Sequence, residues 1–158
     1  MEAFKLNSNL EKDSIFVAKL AISQVRLNND SRFPWLILIP ELTNLRELHE
    51  IPVDLQSRVY KEINLCSKLL EEVSQADKMN VAALGNIVPQ LHIHIIARKQ
   101  DDIAWPQPVW LAGSGIPYQQ KIQELQTNII SITLTISSPV TSSCPHSCVP
   151  VVNLIAIF

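Results

Sequence analysis

Gln90, His92 and His94 alternate along the chain with Leu91, Ile93 and Ile95. On an extended strand, successive side chains point to opposite faces. The amide and the two imidazoles therefore share one face, and the three aliphatic side chains share the other. Imidazoles two residues apart on a strand sit ~7 Å from each other on a rigid support. A neutral imidazole near pH 7 can be a nucleophile, a proton carrier or a metal ligand. The spacing alone leaves three readings open: the wet face of a half-buried strand, a nucleophile with an acid–base partner, or two ligands of a zinc or iron ion. A metal site needs a third and usually a fourth ligand. The candidates His49, Asp101 and Asp102 stand at no recognisable spacing.

Elements on either side must hold that strand in place. The histidine segment reads as a strand over residues 91–97, preceded by a strand over 78–84 and a Gly85-Asn86 turn. Residues 4–6 read as a short strand. Residues 14–20 and 22–28 have stretches of period two, with Val25 and Leu27 on one face and Gln24, Arg26 and Asn28 on the other. Residues 35–39, bounded by Pro34 and Pro40, are continuously apolar, as in a buried central strand. Residues 43–49 read as a short helix capped by Thr43. Leu55, Val59, Ile63, Cys66, Leu70 and Val73 recur at spacings of three and four, so residues 52–73 form a helix with one apolar stripe, Pro52 in its first turn. Residues 105–117, rich in proline with two tryptophans, read as an ordered loop. Strands, a long helix and more strands imply an α+β fold: an antiparallel sheet of about five strands with one long helix and a short helix packed on it.

Composition narrows the function classes. The chain has 158 residues, 47% of them hydrophobic and 18% charged, with a net charge of −2. That suits a single globular core and gives no basic field for nucleic acid. No apolar run reaches the ~18 residues of a membrane span. The opening Met1-Glu-Ala-Phe-Lys-Leu6 lacks the apolar stretch of a signal peptide. Three separated cysteines make no disulfide framework, and a cytoplasmic location is expected. All 28 charged residues lie in 1–128, and 129–158 is an uncharged tail rich in Ser, Ile and Val. The chain therefore divides into a domain over 1–128 and an atypical tail over 129–158. The tail is either an added strand pair or sequence foreign to the fold. Its Cys144-Pro-His-Ser-Cys148 resembles a metal motif only at a glance.

The surroundings of the histidines resemble the histidine-triad (HIT) superfamily of nucleotide-binding hydrolases and transferases. That family alternates three histidines with apolar residues along a strand. Here Gln90-Leu-His92-Ile-His94-Ile-Ile96 has glutamine at the first position. The likeness is to a bacterial branch with the same glutamine. It is carried by Asp30-Ser-Arg-Phe-Pro-Trp-Leu-Ile-Leu-Ile-Pro40, Lys78-Met-Asn-Val-Ala-Ala-Leu-Gly-Asn-Ile-Val-Pro-Gln90 and Ala104-Trp-Pro-Gln-Pro-Val-Trp110. It spans about residues 4–125 and departs at Leu111, where glycine is expected.

The resemblance implies a role for each matching residue. His92 would be the nucleophile that attacks the α-phosphorus and carries a nucleotidyl group, its other nitrogen giving a proton to a backbone carbonyl. His94 would sit by the phosphate, stabilising charge or protonating the leaving group. Gln90 would position the phosphate but cannot titrate. Gly85, Asn86 and Val88 would belong to a phosphate loop, Asn80 would face the same phosphate, and Asp30 would take the ribose hydroxyls. Phe4, Leu6 or Leu27 would line a slot for the base. A homodimer, a nucleotide as the small-molecule partner and no cofactor or metal are implied as well. Plainer roles stand beside these: a strand end for Asn80, a turn for Asp30, a hairpin for Gly85. Arg98 reads as a solvated strand end, His49 as surface, Cys66 as core, and Trp105 and Trp110 as packing residues. The functional alternatives are a nucleotidyl hydrolase or transferase acting on phosphoanhydride or phosphoramidate bonds, and a nucleotide-binding module with little turnover. A metal-dependent β-barrel enzyme is disfavoured by three glycines and a long helix.

Overall fold

The computed structural model describes residues 3–120 together with residues 124, 128, 130 and 131. Strands β1 (Ser14–Lys19), β2 (Ser23–Asn28), β3 (Trp35–Pro40), β4 (Lys78–Ala83) and β5 (Ile93–Arg98) form one sheet in the order β1-β2-β3-β5-β4. Every neighbouring pair is antiparallel. Helix α1 (Ser8–Lys12) precedes β1, and the long helix α2 (Val53–Ser74) joins β3 to β4. This is the α+β architecture that the pattern of strands and helix implies.

Alternation along the central strands creates two apolar layers. Leu36 and Leu38 of β3 and Ile93 and Ile95 of β5 face α2, where they meet Val59, Cys66 and Leu70. The apolar stripe of α2 falls as its spacing predicts, and each fully buried leucine on it stabilises the fold by about 2 kcal/mol. One polar residue joins it. Glu62 is buried and accepts hydrogen bonds from Ile22 N at 2.7 Å and Ser23 Oγ at 2.6 Å, tying the helix to the β1–β2 turn. Burial, and then the charge of Glu62, pushes the Cys66 thiol up to about 12, so it behaves as a small hydrophobe. The helix closes at Gln75 in left-handed backbone (φ 51°), its N–H donating to Glu71 O.

The opposite face of the sheet is covered too. Trp35, Ile37 and Ile39 of β3 and Ile96 of β5 pack there with Phe33, Val88 and Val109, and with Phe4, Leu6 and Leu10 of the N-terminal segment. Burial on both faces explains why β3 is apolar throughout. Leu27 is on the helix side, so it cannot line a slot with Phe4 and Leu6, as the early strands suggested.

Two local expectations are corrected. Residues 4–6 are not a strand: they cross the sheet as an irregular segment leading into α1, whose N-terminus is capped by Asn7 Oδ1 accepting from Asn9 N at 2.9 Å. Residues 43–49 are not a helix, because Asn44 takes left-handed backbone (φ 60°) and interrupts it. Only a 3-10 turn forms, Leu48–Glu50, held by Glu50 accepting from Arg46 N at 2.7 Å and Glu47 N at 3.1 Å. Residues 120, 124, 128, 130 and 131 have helical backbone, and Ile130 is fully buried against the α2-side layer. Apart from Ile130 and Ser131, the tail lies outside the described residues, with Cys144 to Cys148 in it.

Candidate functional site

Register places the site. Ile37 of β3 and Ala82 of β4 both pair with His94, so the last histidine stands in the middle of the sheet face away from α2. His92 lies just before β5 begins and packs edge-on to His94, ring centroids 4.8 Å apart. Each imidazole keeps 7% of its surface exposed.

The hydrogen bonds fix both tautomers by elimination. His92 Nδ1 lies 2.7 Å from the Gln90 carbonyl oxygen. A carbonyl only accepts, so Nδ1 carries the proton and Nε2 keeps its lone pair. His94 Nδ1 lies 3.0 Å from Trp35 Nε1. An indole nitrogen only donates, so here Nδ1 is the bare nitrogen and Nε2 carries the proton. The two rings therefore differ in kind: one presents a lone pair, the other an N–H. Burial first, and then the electrostatic influence of His92, lowers His94 to about 3, and it stays neutral at any physiological pH.

Two tryptophans complete this cluster. Trp35 meets the His94 ring edge-on at 5.3 Å. Trp110, from the 3-10 turn Val109–Leu111, meets it at 5.2 Å and remains 40% exposed. Sequence reasoning gave Trp110 a packing role and gave Trp35 none beyond its strand. A signal was present: a buried tryptophan needs an acceptor for its N–H, and β3 offers none among its apolar neighbours.

The Gln90 side chain is engaged by the N-terminal segment. Its Oε1 accepts from Asn7 N at 2.8 Å, and its Nε2 donates to Lys5 O at 2.9 Å. Both functions of the amide are thus used on the backbone either side of Leu6. Residue 90 precedes β5, which starts at Ile93, and this leaves its side chain free to bridge to the N-terminal segment. Beside it lies a cleft of about 340 Å³ whose walls include Lys5, Arg46 and Gln90.

The loop from Gly85 to Val88 joins β4 to the histidine segment. The backbone N–H groups of Asn86, Ile87 and Val88 make no hydrogen bond among the described residues. Val88 buries its side chain in the histidine-side layer, whereas Gly85, Asn86 and Ile87 are exposed. A Cβ on Gly85 would meet Val88 O at 3.8 Å and Pro89 Cα at 3.9 Å, ordinary contacts. The space around Gly85 therefore does not by itself demand glycine.

Asn80 and Asp30 are committed within the chain. Asn80 Oδ1 accepts from Arg98 Nη1 at 3.0 Å. Arg98 is 1% exposed, not the solvated strand end its position suggested, because Asp102 turns back to bind it at 2.6 and 3.0 Å and the Trp105 ring lies 5.7 Å away. Burial raises the Asp102 carboxyl, but the Arg98 hydrogen bonds and two backbone N–H groups outweigh it and hold the group below its ordinary value. With Asp102 taken, it cannot join the histidines as a ligand. Among the described residues, no three His, Cys, Asp or Glu side chains gather as a metal site.

Asp30 accepts from Arg32 Nε at 2.9 Å and Nη2 at 2.7 Å, and from Ile116 N at 3.2 Å. Arg32 in turn donates to Ala112 O at 2.7 Å. A Cβ on Gly115 would lie 3.3 Å from Asp30 Oδ2, so glycine allows the loop to close this tightly. The Asp30–Arg32 node thereby ties down the loop that follows Trp110.

Similar proteins share this arrangement of strands and helix. The family model described as HIT domain matches residues 9–101. A histidine triad protein from Sinorhizobium meliloti 1021 is 39% identical, with 82% of this chain and 96% of that chain covered and a TM-score of 0.80. A histidine triad protein from Marinobacter aquaeolei VT8 is 38% identical, covers 85% and 98%, and has a TM-score of 0.83. A hypothetical histidine triad nucleotide-binding protein from Sulfolobus tokodaii strain7, at 20% identity and a TM-score of 0.59 over 81% of this chain and 88% of that one, shares the fold. No curated protein matches.

Proposed function

The chain belongs to the HIT-domain family, and from that premise we propose that it is a nucleotidyl hydrolase or transferase working through His92. The observation that carries this is the hydrogen bond from His92 Nδ1–H to the Gln90 carbonyl at 2.7 Å. It aims a lone pair from Nε2 and supports the positive charge that Nδ1 shares once Nε2 bonds to phosphorus. Nε2 attacks the α-phosphorus of a nucleotide, an N–P bond forms, and the leaving group departs with the electrons of its bond to phosphorus. Water then attacks the same phosphorus, the N–P electrons return to Nε2, and nucleoside monophosphate is released. The His94 Nε2–H donates to a phosphoryl oxygen as charge builds there. The free N–H groups of Asn86, Ile87 and Val88 form a phosphate cradle.

The test is covalent trapping. Protein mixed with an adenosine 5′-phosphoryl substrate, quenched and analysed by mass spectrometry, is expected to carry an adenylyl group on His92. His92→Ala is expected to lose the adduct and to keep its circular dichroism. An adduct that persists in the variant removes the proposal.

A second reading is a nucleotide-binding module with little turnover. It is favoured by the engagement of Gln90 with Lys5 and Asn7, which leaves the first triad position without a group at the phosphate. Tight binding of adenosine monophosphate in calorimetry, with no product after long incubation, would select it. No helix among the described residues is long and apolar enough to cross a membrane. For a nucleotide substrate, a cytoplasmic location and a homodimeric assembly complete the proposal.

A further inference from the structure

Resting on the nucleotidyl-transfer reading above, we infer that this site turns over nucleotides whose leaving group departs as an oxygen anion, phosphoanhydrides above all, and discriminates against phosphoramidates. The argument is a search for the proton. When a P–O bond to phosphate or polyphosphate breaks, the electron pair leaves on an oxygen already stable as an anion, and no proton is required. When a P–N bond to an amine breaks, the pair leaves on nitrogen, which must receive a proton as it goes. A site that cleaves phosphoramidates quickly therefore keeps an acid at the leaving group.

Among the described residues, no group in contact with the two imidazoles can be that acid. His94 points Nδ1 at the indole N–H of Trp35, 3.0 Å away. To become imidazolium it must place a proton between two donors and break that bond. Its other nitrogen already holds a proton, but a neutral imidazole N–H is far too weak an acid for a departing amine. The first triad position holds an amide, which does not titrate, and its two functions are engaged by Lys5 O and Asn7 N. The proton on His92 Nδ1 is held by the Gln90 carbonyl. Trp110 and Trp35, which close the ring cluster, are not acids. Further along the same face, Arg98 and Asp102 are paired to each other. Burial that holds His94 neutral points the same way.

Trp35 is then a positioning residue. It never reaches the phosphorus, but it chooses which nitrogen of His94 is bare. The consequence is a site with an N–H for the phosphoryl oxygen and, among the described residues, no acid for the leaving atom.

The test holds the nucleotide constant and varies the leaving group. Adenosine diphosphate and diadenosine tetraphosphate supply oxygen leaving groups; adenosine 5′-phosphoromorpholidate supplies an amine. General acids typically contribute 10²–10⁴-fold. The expected result is a kcat/KM for the better anhydride at least about a hundredfold above that for the morpholidate. Equal or faster turnover of the morpholidate overturns the inference and leaves the nucleotidyl-histidine mechanism standing. No turnover of any of the three and no adduct on His92 overturns both. Trp35→Phe supplies an independent arm. With the indole donor gone, the ratio of morpholidate to anhydride turnover is expected to rise, and nitrogen-15 spectra should show His94 Nδ1 losing the signature of a hydrogen-bonded acceptor. An unchanged ratio alongside that spectral change counts against the inference. If Trp35→Phe does not fold, the wild-type comparison still decides.

Discussion

The indole N–H of Trp35 on β3 donates to the bare Nδ1 of His94 on β5, at 3.0 Å, inside the sheet face that carries the site. The donor is two residues off the cross-strand partner, since Ile37 and not Trp35 pairs with His94. The bond therefore spans two rungs of the ladder, a reach that suits a large aromatic side chain.

Removing that donor has a direct energetic consequence. Trp35→Phe leaves a buried acceptor without a partner, a loss of about 1–3 kcal/mol. Urea melts at pH 7.5 are expected to show this as a lower midpoint with an unchanged slope. A variant as stable as the parent would mean that Nδ1 finds another donor.

Stability should depend on pH through the same ring. His94 is lowered to about 3 in the folded protein from an ordinary 6.5. Above pH 6.5 it is neutral both folded and unfolded, and it contributes no dependence. Between 6.5 and 3 the unfolded chain takes up a proton that the folded chain refuses, so stability falls as pH falls, by up to about 1.4 kcal/mol per pH unit. Asp30 and Asp102, held below their ordinary values, add their loss only at lower pH. Melts at pH 7.5, 6.0 and 5.0 should therefore separate, and His94→Gln should bring the curves together. Parallel loss in that variant would assign the slope to another group.

The N-terminal segment is expected to answer to residue 90. Gln90→Ala removes both bonds to the backbone of Lys5 and Asn7 and should cost about 1–2 kcal/mol. Hydrogen exchange should speed up at the Asn7 amide while the amides of α2 stay protected. Unchanged exchange at Asn7 would show that apolar packing of Phe4 and Leu6 suffices to hold the segment.

The Arg98–Asp102 pair supplies a contrast between breaking and replacing. Asp102→Ala leaves a guanidinium 1% exposed with its main counter-charge gone, a loss of about 3–5 kcal/mol. Arg98→Met combined with Asp102→Leu should be markedly more stable than Asp102→Ala. A double variant as unstable as the single one would show that the backbone bonds made by Asp102, to Lys99 N and Ala104 N, are what matter.

Much of the fold was legible because burial writes a period into the chain. The alternation at Val25 and Leu27, the apolar run of β3 and the stripe on α2 each follow from which side meets hydrocarbon. The alternation at His92 and His94 likewise put both rings on the face away from α2, where they lie. What escaped depends on contacts between distant segments. Nothing local says that Trp35 and Trp110 meet across His94, that Asp102 folds back onto Arg98, or that Gln90 reaches across to Lys5 and Asn7. Asn44 breaks the expected short helix through a single left-handed residue, a choice its neighbours do not announce. The left-out role of Asp30 in tying down the loop after Trp110 depends on Gly115, 85 residues away.

The bridge from Gln90 to the start of the chain also constrains how this protein can change. A glutamine codon becomes a histidine codon through one base, so three imidazoles in a row are a short mutational step away. That step trades a planar fork, suited to one carbonyl and one amide of the same strap, for a ring that cannot match both. Histidine at this position therefore gives up at least one of the two bonds that anchor the strap, a loss no larger than that expected for Gln90→Ala.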